Sequence, residues 1–375
     1  MIHIGWDAKR AFQNTTGLGN YSRDTIRMMV ECYPENNYTL YTPNQKRAIN
    51  APFYQFTQKN NLPVITAKSN LQAPFWRTKG IGKDLTREGV QIFHGLSNEI
   101  PLGLKTRNIK TVVSIHDIIF KHFPKYYKSI DRGIYHQKIK YASKHADLIL
   151  TMSQCTKEDL IKYYQVAEDK IKIQYQSVHP VFHNMSNEIA KESVKIKYQL
   201  PEKFCLMVSA FEDRKNHQLV LKALAAINDP EIKIVFAGRP HHTFEKIQHL
   251  IKELHLQDQV ITITNADLET LNTLYDLATI FIQASLYEGF GIPVLEAMTK
   301  GLPAILSNNS SFPEIAKEAA LYFDPYNIDE LKKVWIQLWN DESLQKHLFG
   351  NIDIKQFNPQ VLSQQLMHHY QNLLS

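Results

Sequence analysis

One segment of the chain, residues 285–298, brings glycines, carboxylates and a proline together in the order S-L-Y-E-G-F-G-I-P-V-L-E-A-M. It follows a predicted buried strand, and Pro293 and Gly301 suit the first turn and the C-cap of a helix. The free amides at a helix start form an anion site. Glu288 in the loop and Glu296 one turn into the helix would repel phosphate but accept hydrogen bonds from sugar hydroxyls. The segment therefore indicates a phosphate flanked by two sugars, one ribose and one transferred hexose.

Arg214 and Lys215 form a second candidate group, shortly after the predicted strand Phe204 to Val208. Ligands of open α/β sheets bind beyond the carboxyl ends of the strands. An arginine fork and a lysine point charge placed there could clamp a diphosphate. A solvated loop, in which both cations pair with Glu212 and Asp213, explains the same residues.

The sequence contains no D-x-D pattern that would suggest a metal bridging a diphosphate. The nearest pattern, Asp267-Leu268-Glu269, predicts the start of a helix after Asn265. We therefore expect no metal site and no cofactor besides the donor substrate.

Two glycines, Gly17 and Gly19, follow the first predicted strand and precede a predicted helix. Glycine lets the backbone approach a ligand closely, and the amides at a helix start suit phosphate. The segment is not a dinucleotide fingerprint, because G-x-G-x-x-G would need glycine where the chain has Ser22. A phosphate contact and an ordinary flexible turn both explain the glycines.

Two further predicted strands end in a histidine, His94 and His116. Either could be a core histidine with satisfied hydrogen bonds. His116 is followed by Asp117, a charge within an otherwise apolar run, which favours a cleft location for His116. There the imidazole could donate a hydrogen bond to a substrate hydroxyl or to charge that develops in a transition state.

Short apolar runs alternate with longer amphipathic runs along the chain, which predicts parallel sheets with crossover helices. The predicted strands of the first half are Ile2 to Trp6, Tyr38 to Tyr41, Val64 to Ala67, Gln91 to Phe93, Thr111 to Ile115 and Asp147 to Thr151. Those of the second half are Phe204 to Val208, Lys233 to Ala237, Val260 to Thr264, Ile280 to Gln283 and Pro303 to Leu306. We predict two doubly wound sheets, a linker near residues 183–200 and a final amphipathic helix from Pro359 to Leu374.

The 375 residues and 43% hydrophobic content allow two globular domains. No run reaches the roughly 18 consecutive apolar residues of a spanning helix, and the first residues lack a signal-peptide pattern. We therefore expect a cytoplasmic protein. Three widely spaced cysteines, Cys32, Cys155 and Cys205, indicate neither a disulfide framework nor a zinc site.

Charge is divided unevenly along the chain. Residues 1–180 hold 26 Lys and Arg against 14 Asp and Glu, a balance of +12, and the rest hold 17 against 23, a balance of −6. The segment from Lys121 to His145 has seven Lys or Arg and one acid, Asp131, with interleaved tyrosines. A solvated helix face explains this segment, and so does attraction to an acidic glycan or to anionic lipid at the inner face of a membrane. Nucleic acid is not expected as a partner, because no binding motif accompanies the charge.

The stretch E-G-F-G-I-P-V-L-E-A-M-T-K-G-L-P, beginning at Glu288, resembles the glutamate, seven residues, glutamate signature of the family 4 retaining glycosyltransferases. The resemblance extends through Leu271 to Ala278 before this stretch and through Ser307 to Pro325 after it. It also includes Arg214-Lys215-Asn216, residues 146–153, His116-Asp117 and Gly17-Leu18-Gly19, and so covers nearly the whole chain.

This resemblance implies the glycosyltransferase-B fold, an α/β architecture in which two Rossmann-like, doubly wound parallel-sheet domains face each other across a cleft. An acceptor domain would span residues 1–185, joined by a final helix, 359–375, that packs back on it. A domain for the nucleotide-sugar donor would span residues 200–357.

Roles for single residues follow from the same resemblance. Glu288 would contact the transferred sugar and Glu296 the ribose, while Gly289, Phe290 and Gly291 would offer backbone amides to the sugar. Lys215 would neutralise the diphosphate, Gly17 and Gly19 would approach it, and His116 would lie beside the reacting carbon. The chain departs from many members in having Ala210 where they have arginine, a role that Arg214 could take.

The expected function is transfer of a hexose, with retention of configuration, from a GDP-mannose or UDP-hexose type of donor to a glycan or lipid-linked acceptor in polysaccharide biosynthesis. Two alternatives are a sugar-nucleotide epimerase of the same fold and an inactive relative that binds a nucleotide or glycan.

Overall fold

The computed structural model describes residues 1–69 and 73–375. The chain divides into two compact units: Met1–Ser177 with Gln356–Ser375, and Val178–Lys355. Each unit contains one parallel β-sheet with helices in the connections between its strands. The sequence prediction of two doubly wound α/β domains is confirmed.

The strands of the first unit are β1 (His3–Asp7), β2 (Asn37–Thr42), β3 (Val64–Thr66), β4 (Ile92–Gly95), β5 (Lys110–Ile115), β6 (Leu148–Thr151) and β7 (Ile171–Ile173). They lie in the order β3-β2-β1-β4-β5-β6-β7, and all pairs are parallel. The winding direction reverses between β1 and β4. Ligand sites of doubly wound sheets lie at such a reversal, beyond the carboxyl ends of the strands.

Helices and short helical turns connect these strands. The α-helices are α1 (Lys9–Gln13), α2 (Gly17–Cys32), α3 (Gln45–Ile49), α4 (Phe53–Lys59), α5 (Ala73–Phe75), α6 (Ile81–Arg87), α7 (Ile119–His122), α8 (Ser129–His145) and α9 (Gln154–Tyr164). A π-helix (Trp76–Gly80) and 3₁₀ turns (Lys105–Arg107, Pro124–Tyr126 and Glu168–Lys170) complete the connections.

The C-terminal helix of the chain (Pro359–Leu374) packs in the first unit, against α2. Its Tyr370 hydroxyl accepts a hydrogen bond from Trp6 Nε1 at 3.3 Å and pairs with His94 Nδ1 at 2.7 Å. The chain of bonds continues from His94 Nε2 to the Ser114 hydroxyl at 2.8 Å, and from there to the Tyr21 hydroxyl at 2.7 Å. Buried polar groups are therefore satisfied between the final helix, the sheet and α2.

The strands of the second unit are β8 (Cys205–Val208), β9 (Ile234–Gly238), β10 (Val260–Thr264), β11 (Ile280–Gln283), β12 (Ala304–Ser307) and β13 (Ala320–Phe323). They lie in the order β10-β9-β8-β11-β12-β13, with all pairs parallel. The winding here reverses between β8 and β11, so the segments that follow these two strands lie side by side beyond the carboxyl ends of the sheet.

The helices of the second unit complete the numbering. They are α10 (Glu188–Tyr198), α11 (His217–Ile227), α12 (Phe244–Glu253), α13 (Leu268–Leu277), α14 (Ile292–Thr299), α15 (Phe312–Ala316), α16 (Ile328–Asn340) and α17 (Glu342–Gly350), and the C-terminal helix of the first unit is α18. The 3₁₀ turns of this unit are Pro180–His183, Asp213–Lys215 and Lys317–Ala319, and a further turn, Lys355–Phe357, begins at its last residue and continues into the first unit. Within the described ranges, no helix is long and apolar enough to cross a membrane.

Two strands were not predicted from the sequence, β7 and β13, and both lie at an edge of their sheet. Strand β7 is three residues long and has Lys172 at its centre, so it lacks an apolar run. An edge strand pairs on one side only, which allows it to be short and partly exposed. The signal that predicted the central strands is therefore weak in these two.

The predicted linker near residues 183–200 is wrong over most of its length, because helix α10 occupies residues 188–198 and belongs to the second unit. The Asn187 side chain caps this helix by accepting a hydrogen bond from Ala190 N at 2.8 Å. Val194 is its buried contact with the unit, and most of the lysine-rich remainder faces solvent. A polar helix face has the composition of a linker, which explains the difference. The units change at Val178, not near residues 185–200.

Candidate functional site

A buried cluster of charges lies at the winding reversal of the second sheet. The turn after β8 supplies Arg214 and Lys215, and the loop after β11 supplies Glu288. Arg214 Nη1 donates to Glu288 Oε2 at 3.1 Å, and Lys215 Nζ donates to the other carboxylate oxygen, Oε1. The structure therefore brings together three residues that the sequence analysis selected from two separate segments.

The two cations also set the charge of the carboxyl group. Burial alone would raise the pKa of Glu288, but the charges of Lys215 and Arg214 outweigh it and lower the pKa to about 2. Glu288 is therefore ionised at neutral pH. Arg214 has a second acidic partner, Glu212, whose Oε2 accepts from Arg214 Nε at 2.9 Å. The cluster combines cationic groups suited to a diphosphate with carboxylate oxygens suited to hydroxyl groups.

Hydroxyl side chains hold the loop that carries Glu288. The Ser285 hydroxyl donates to Glu288 Oε1 at 2.7 Å, and the Ser310 hydroxyl accepts from the Glu288 amide at 3.1 Å. The Ser311 hydroxyl donates to the Glu288 carbonyl at 3.1 Å and also to the Phe290 carbonyl. The carboxylate is therefore fixed through its backbone as well as through its own oxygens.

The sequence analysis did not select the polar run around Ser310 and Ser311. It follows β12, which is the neighbour of β11 in the sheet. Because carboxyl ends of adjacent parallel strands share an edge, a serine and asparagine run after the next strand was the available signal.

Helix α14 begins at the same edge. Its N-cap, Gly291, has φ +105°, and a Cβ atom there would lie 2.7 Å from Phe312 Cε1, so a side chain is excluded both by conformation and by space. Pro293 lies in the first turn, as predicted from the sequence. The amides of that turn make the helix start suitable for an anion.

Glu296 lies one turn further along α14 and is almost fully buried. Its Oε2 accepts a hydrogen bond of 2.7 Å from the hydroxyl of Tyr275 on α13. Tyr275 was not selected from the sequence, because its contact with Glu296 depends on how two helices pack. Asp267, discussed above for metal binding, caps α13 by accepting from Thr270 N at 2.8 Å.

The remaining selected residues lie in the first unit. Gly17 and Gly19 occupy the first turn of α2, and a Cβ atom at Gly19 would overlap the carbonyl of Asn14, whereas one at Gly17 would meet no atom within 4 Å. Gly19 is therefore required by close backbone packing. Gly17 stands in open space at the start of a 16-residue helix, where amides face outward.

His116 follows β5 and is nearly buried, with its Nε2 at 2.9 Å from the carbonyl oxygen of Leu96. A carbonyl can only accept, so Nε2 carries the ring proton. Burial lowers the pKa of His116 to about 4, which keeps the ring neutral near pH 7 and leaves Nδ1 as an acceptor. The sequence analysis expected this imidazole to donate a hydrogen bond to a ligand, but its N–H is already directed to Leu96.

His94, the other strand-terminal histidine, is a core residue. It is fully buried, both ring nitrogens have partners, and burial lowers its pKa to about 3. The first of the two explanations left open for this histidine is therefore the correct one.

Two adjacent cavities lie near the carboxyl ends of β1, β4 and β5. One has a volume of about 200 Å³ and the other about 320 Å³, and both are lined by Glu99 and Lys138, which form an ion pair at 2.7 Å. In the smaller cavity the Ser97 hydroxyl and Arg10 Nε are buried without a hydrogen-bond partner. The charged and polar side chains that line both cavities suit a polar ligand.

Both halves of the chain match glycosyltransferase family models. Residues 188–352 match "Glycosyl transferases group 1", and residues 16–181 match "Glycosyltransferase Family 4".

Two relatives with described activities come from Escherichia coli. The serotype-specific mannosyltransferase WbdA is 28% identical over 69% of this chain, and the O-antigen chain mannosyltransferase B is 27% identical over 75% of it. The alignments cover 33% of the length of WbdA and 74% of the second enzyme. The chain therefore spans only about a third of the first relative.

Solved structures match along the full chain. A glycosyltransferase from Rickettsia africae ESF-5 aligns with a TM-score of 0.77 at 19% identity, covering 100% of this chain and 99% of its own. HepE from Anabaena, solved with UDP and glucose, aligns with a TM-score of 0.74 at 14% identity, covering 99% of each chain. These likenesses confirm the predicted fold class.

Proposed function

Since the chain belongs to the family 4 glycosyltransferases of group 1, we propose that it transfers a hexose from a nucleoside-diphosphate sugar to a glycan or lipid-linked acceptor, with retention of configuration. The observation that carries this proposal is the buried cluster of Arg214, Lys215 and Glu288 beside the start of α14. It offers cations for a diphosphate and a carboxylate for sugar hydroxyls, side by side at the carboxyl ends of two neighbouring strands.

The donor is proposed to be of the GDP-mannose or UDP-hexose type. The mannosyltransferase relatives favour mannose, and the structural neighbour solved with UDP favours a uridine nucleotide. The second unit would bind the donor, with Lys215 and Arg214 at the diphosphate, Glu288 at the transferred sugar and Glu296 at the ribose. The amides from Gly289 to Gly291 would contact the sugar.

Catalysis would rest on stabilising the departing nucleoside diphosphate. The acceptor oxygen forms a bond to the anomeric carbon while the bond from that carbon to the phosphate oxygen breaks. Arg214, Lys215 and the start of α14 would stabilise the negative charge that develops on the leaving group, as a fixed arrangement that requires no reorganisation during the reaction. Attack on the face from which the diphosphate departs would retain the configuration and place the acceptor proton beside the released phosphate oxygen. No metal is assigned to this step.

The acceptor is proposed to bind the first unit. The two cavities there are lined by carboxylates, amides and aromatic rings, among them Asn98, Tyr127, Tyr135 and Tyr141, and such side chains suit sugar rings. The unsatisfied Ser97 hydroxyl supports a polar occupant.

Attachment to an anionic membrane is the finer part of this proposal. On α8, Ile130 is 78% exposed and Ile134 is 47% exposed, one turn apart, and Lys125 and Lys128 beside them are also exposed. Apolar side chains next to exposed lysines suit a surface of anionic lipid. Lys138 does not belong to this surface, because it pairs with Glu99.

Incubation with GDP-mannose, UDP-glucose and UDP-galactose, without acceptor, tests the function. A transferase is expected to hydrolyse its donor slowly and release the nucleoside diphosphate with a free sugar. Conversion of one sugar nucleotide into its epimer would support the epimerase instead. Binding of a nucleotide without any product, also after addition of glycan acceptors, would support an inactive relative.

A further inference from the structure

Tyr275 is a fully buried tyrosine whose ring is fixed by other aromatic rings. The Phe182 ring meets it edge-on at a centroid distance of 5.7 Å and an interplanar angle of 88°, and the Phe281 ring lies at 5.9 Å and 37°. Such packing leaves the phenol ring one orientation. The position of its hydroxyl is therefore set by the core of the second unit.

That hydroxyl is directed at Glu296. It lies 2.7 Å from Glu296 Oε2, and a weaker contact of 3.3 Å reaches the Pro293 carbonyl. Burial raises the pKa of Tyr275 well above its usual value, and the Glu296 charge raises it further, so the hydroxyl keeps its proton. Tyr275 is the donor, and a hydrogen bond to an ionised acceptor is among the stronger kinds.

The glutamate that receives this bond is otherwise a long side chain with several rotatable bonds. Its backbone is fixed in the second turn of α14, and its side chain is buried, so the contacts of the carboxylate decide which rotamer it adopts. The Tyr275 hydroxyl holds one oxygen and so helps to fix the direction of the other oxygen.

We propose that Tyr275 is a positioning residue that orients the Glu296 carboxylate toward the ribose hydroxyls of the donor. The proposal rests on the proposed function, in which Glu296 contacts the ribose. Tyr275 itself touches no substrate, and its effect passes through Glu296.

A purely structural tyrosine and a positioning tyrosine differ in one observable. If the hydroxyl only satisfied the core, its removal would change stability and leave the recognition of ribose unaltered. If it orients Glu296, its removal weakens the binding of nucleotides that carry ribose hydroxyls and does not change the binding of nucleotides that lack them. The two roles are therefore distinguished by the ratio of the affinity for the ribose nucleotide to the affinity for its dideoxy analogue.

The experiment measures binding of GDP, UDP and their 2′,3′-dideoxy analogues by calorimetry to the full chain and to Tyr275→Phe, which keeps the ring packing. For the nucleotide that binds, we expect an affinity loss of about tenfold or more in the variant, as for one hydrogen bond to a charged group. The affinity for the dideoxy analogue should fall by less than about twofold. Donor KM should rise while kcat changes little, because the ribose is remote from the reacting carbon.

Two further variants complete the test. Tyr322→Phe removes a tyrosine hydroxyl that bonds to the Lys317 carbonyl at 2.6 Å in the same unit, and it should leave the ratio unchanged. Glu296→Gln should lower the ratio by itself, and adding Tyr275→Phe to it should lower the ratio no further, since both act on one contact. Additive losses in the double variant would contradict the proposal even if Tyr275→Phe were unstable.

Failure of the inference can be distinguished from failure of the proposed function. If the unaltered chain bound neither GDP nor UDP, both would be overturned. If it bound one of them and Tyr275→Phe lost affinity equally for the ribose and dideoxy forms, or lost none, only the role of Tyr275 would be overturned.

Discussion

Lys215 and Glu288 form a buried ion pair, although one was expected to meet the diphosphate and the other the transferred sugar. If these proposed roles are correct, the two functions are coupled through the charge of this ion pair. A phosphate that takes Lys215 competes with Glu288 for the same ammonium group. The carboxylate oxygen that phosphate displaces becomes able to accept a hydrogen bond from the sugar.

Glu288→Gln is expected to raise the affinity for nucleoside diphosphate and lower turnover. The variant removes the anion that competes with phosphate for Lys215 and Arg214, and a gain of about tenfold corresponds to about 1.4 kcal/mol. Loss of a charged contact to the transferred sugar should lower kcat by about 100-fold or more. Calorimetry with GDP and UDP and initial-rate kinetics give both quantities. Equal or weaker nucleotide binding in the variant would contradict this competition. Glu212→Gln, which removes an ion-pair partner of Arg214 but none of Lys215, is the comparison.

Nucleoside diphosphates are expected to bind without divalent metal. Arg214, Lys215 and the amides at the start of α14 provide the positive charge that a metal provides in other sites. Calorimetric titrations of GDP and UDP in chelator should therefore match those with magnesium or manganese. Binding that appeared only with metal would rule out this arrangement.

Gly291→Ala is expected to destabilise the second unit. The substitution places a side chain at φ +105° and against the Phe312 ring, a strain of about 1–3 kcal/mol. In a domain of this size each kcal/mol lowers Tm by about 2–4 °C. Gly350→Ala is the matched control, because a Cβ atom there meets nothing within 4 Å. Calorimetric scans should show a lowered Tm for the first variant only.

The free energy of unfolding is expected to fall as the pH drops below about 6.5. The folded-state pKa values of His94 and His116, about 3 and about 4, lie below the ordinary value of 6.5. Between the folded-state and the ordinary pKa values, the histidines of the unfolded chain bind protons that those of the folded chain do not bind. Each of the two histidines therefore lowers the free energy of unfolding by up to about 1.4 kcal/mol per pH unit.

Urea unfolding at several pH values between 7 and 5 measures this slope. His94→Gln should make it shallower, whereas His368→Gln, at an exposed position, should not. Identical slopes for the unaltered chain and His94→Gln would contradict the assignment of His94 to the core.

Membrane attachment should depend on lipid charge, on salt and on the exposed residues at the start of α8 and in the turn before it. Each basic residue near an anionic surface contributes about 1 kcal/mol, and salt screens exposed charges over about 8 Å at physiological ionic strength. Vesicle co-sedimentation with anionic and neutral lipids is expected to show binding to anionic vesicles only. The double variant Lys125→Glu with Lys128→Glu should abolish it, and Ile130→Ser should weaken it.

A matched pair of charge changes in the second unit, Lys222→Glu with Lys246→Glu, is the control and should leave vesicle binding intact. Both lysines are exposed. Binding that ignored lipid charge, salt and the substitutions at Lys125, Lys128 and Ile130 would exclude the membrane and favour an acceptor in free solution.

The central strands could be predicted because they are buried on both faces and so are continuously apolar. The central strand Ile280–Gln283, buried throughout, has the predicted bounds. The edge strand Val260–Thr264 also has them, because it keeps an alternating apolar pattern although it is only partly buried. Strand β13, with the sequence Ala-Leu-Tyr-Phe, is partly exposed at an edge, and helix α10 has one buried residue on a polar surface. Hydrophobic periodicity in a sequence reflects burial in the fold, so elements with few buried residues cannot be predicted from it.

The candidate site divides in the same way. Glu288 and Glu296 lie in one contiguous segment whose glycines and proline indicate a loop and a helix start. Tyr275 and Ser310 support them from elements that are remote in sequence, and their contacts arise only when α13 and β12 pack beside that segment. Spacing along one chain segment is visible in a sequence, whereas contacts between segments require the fold.

The bond from Trp6 to Tyr370 joins residues 364 positions apart, across the whole of the second unit. During synthesis at roughly 5–20 residues per second, Trp6 precedes its partner by about 20–70 s. The second unit, which is continuous in sequence, is synthesised entirely within that interval. The first unit cannot be completed before α18 is synthesised, and until then the Trp6 and His94 side chains lack the Tyr370 hydroxyl that they contact in the folded chain.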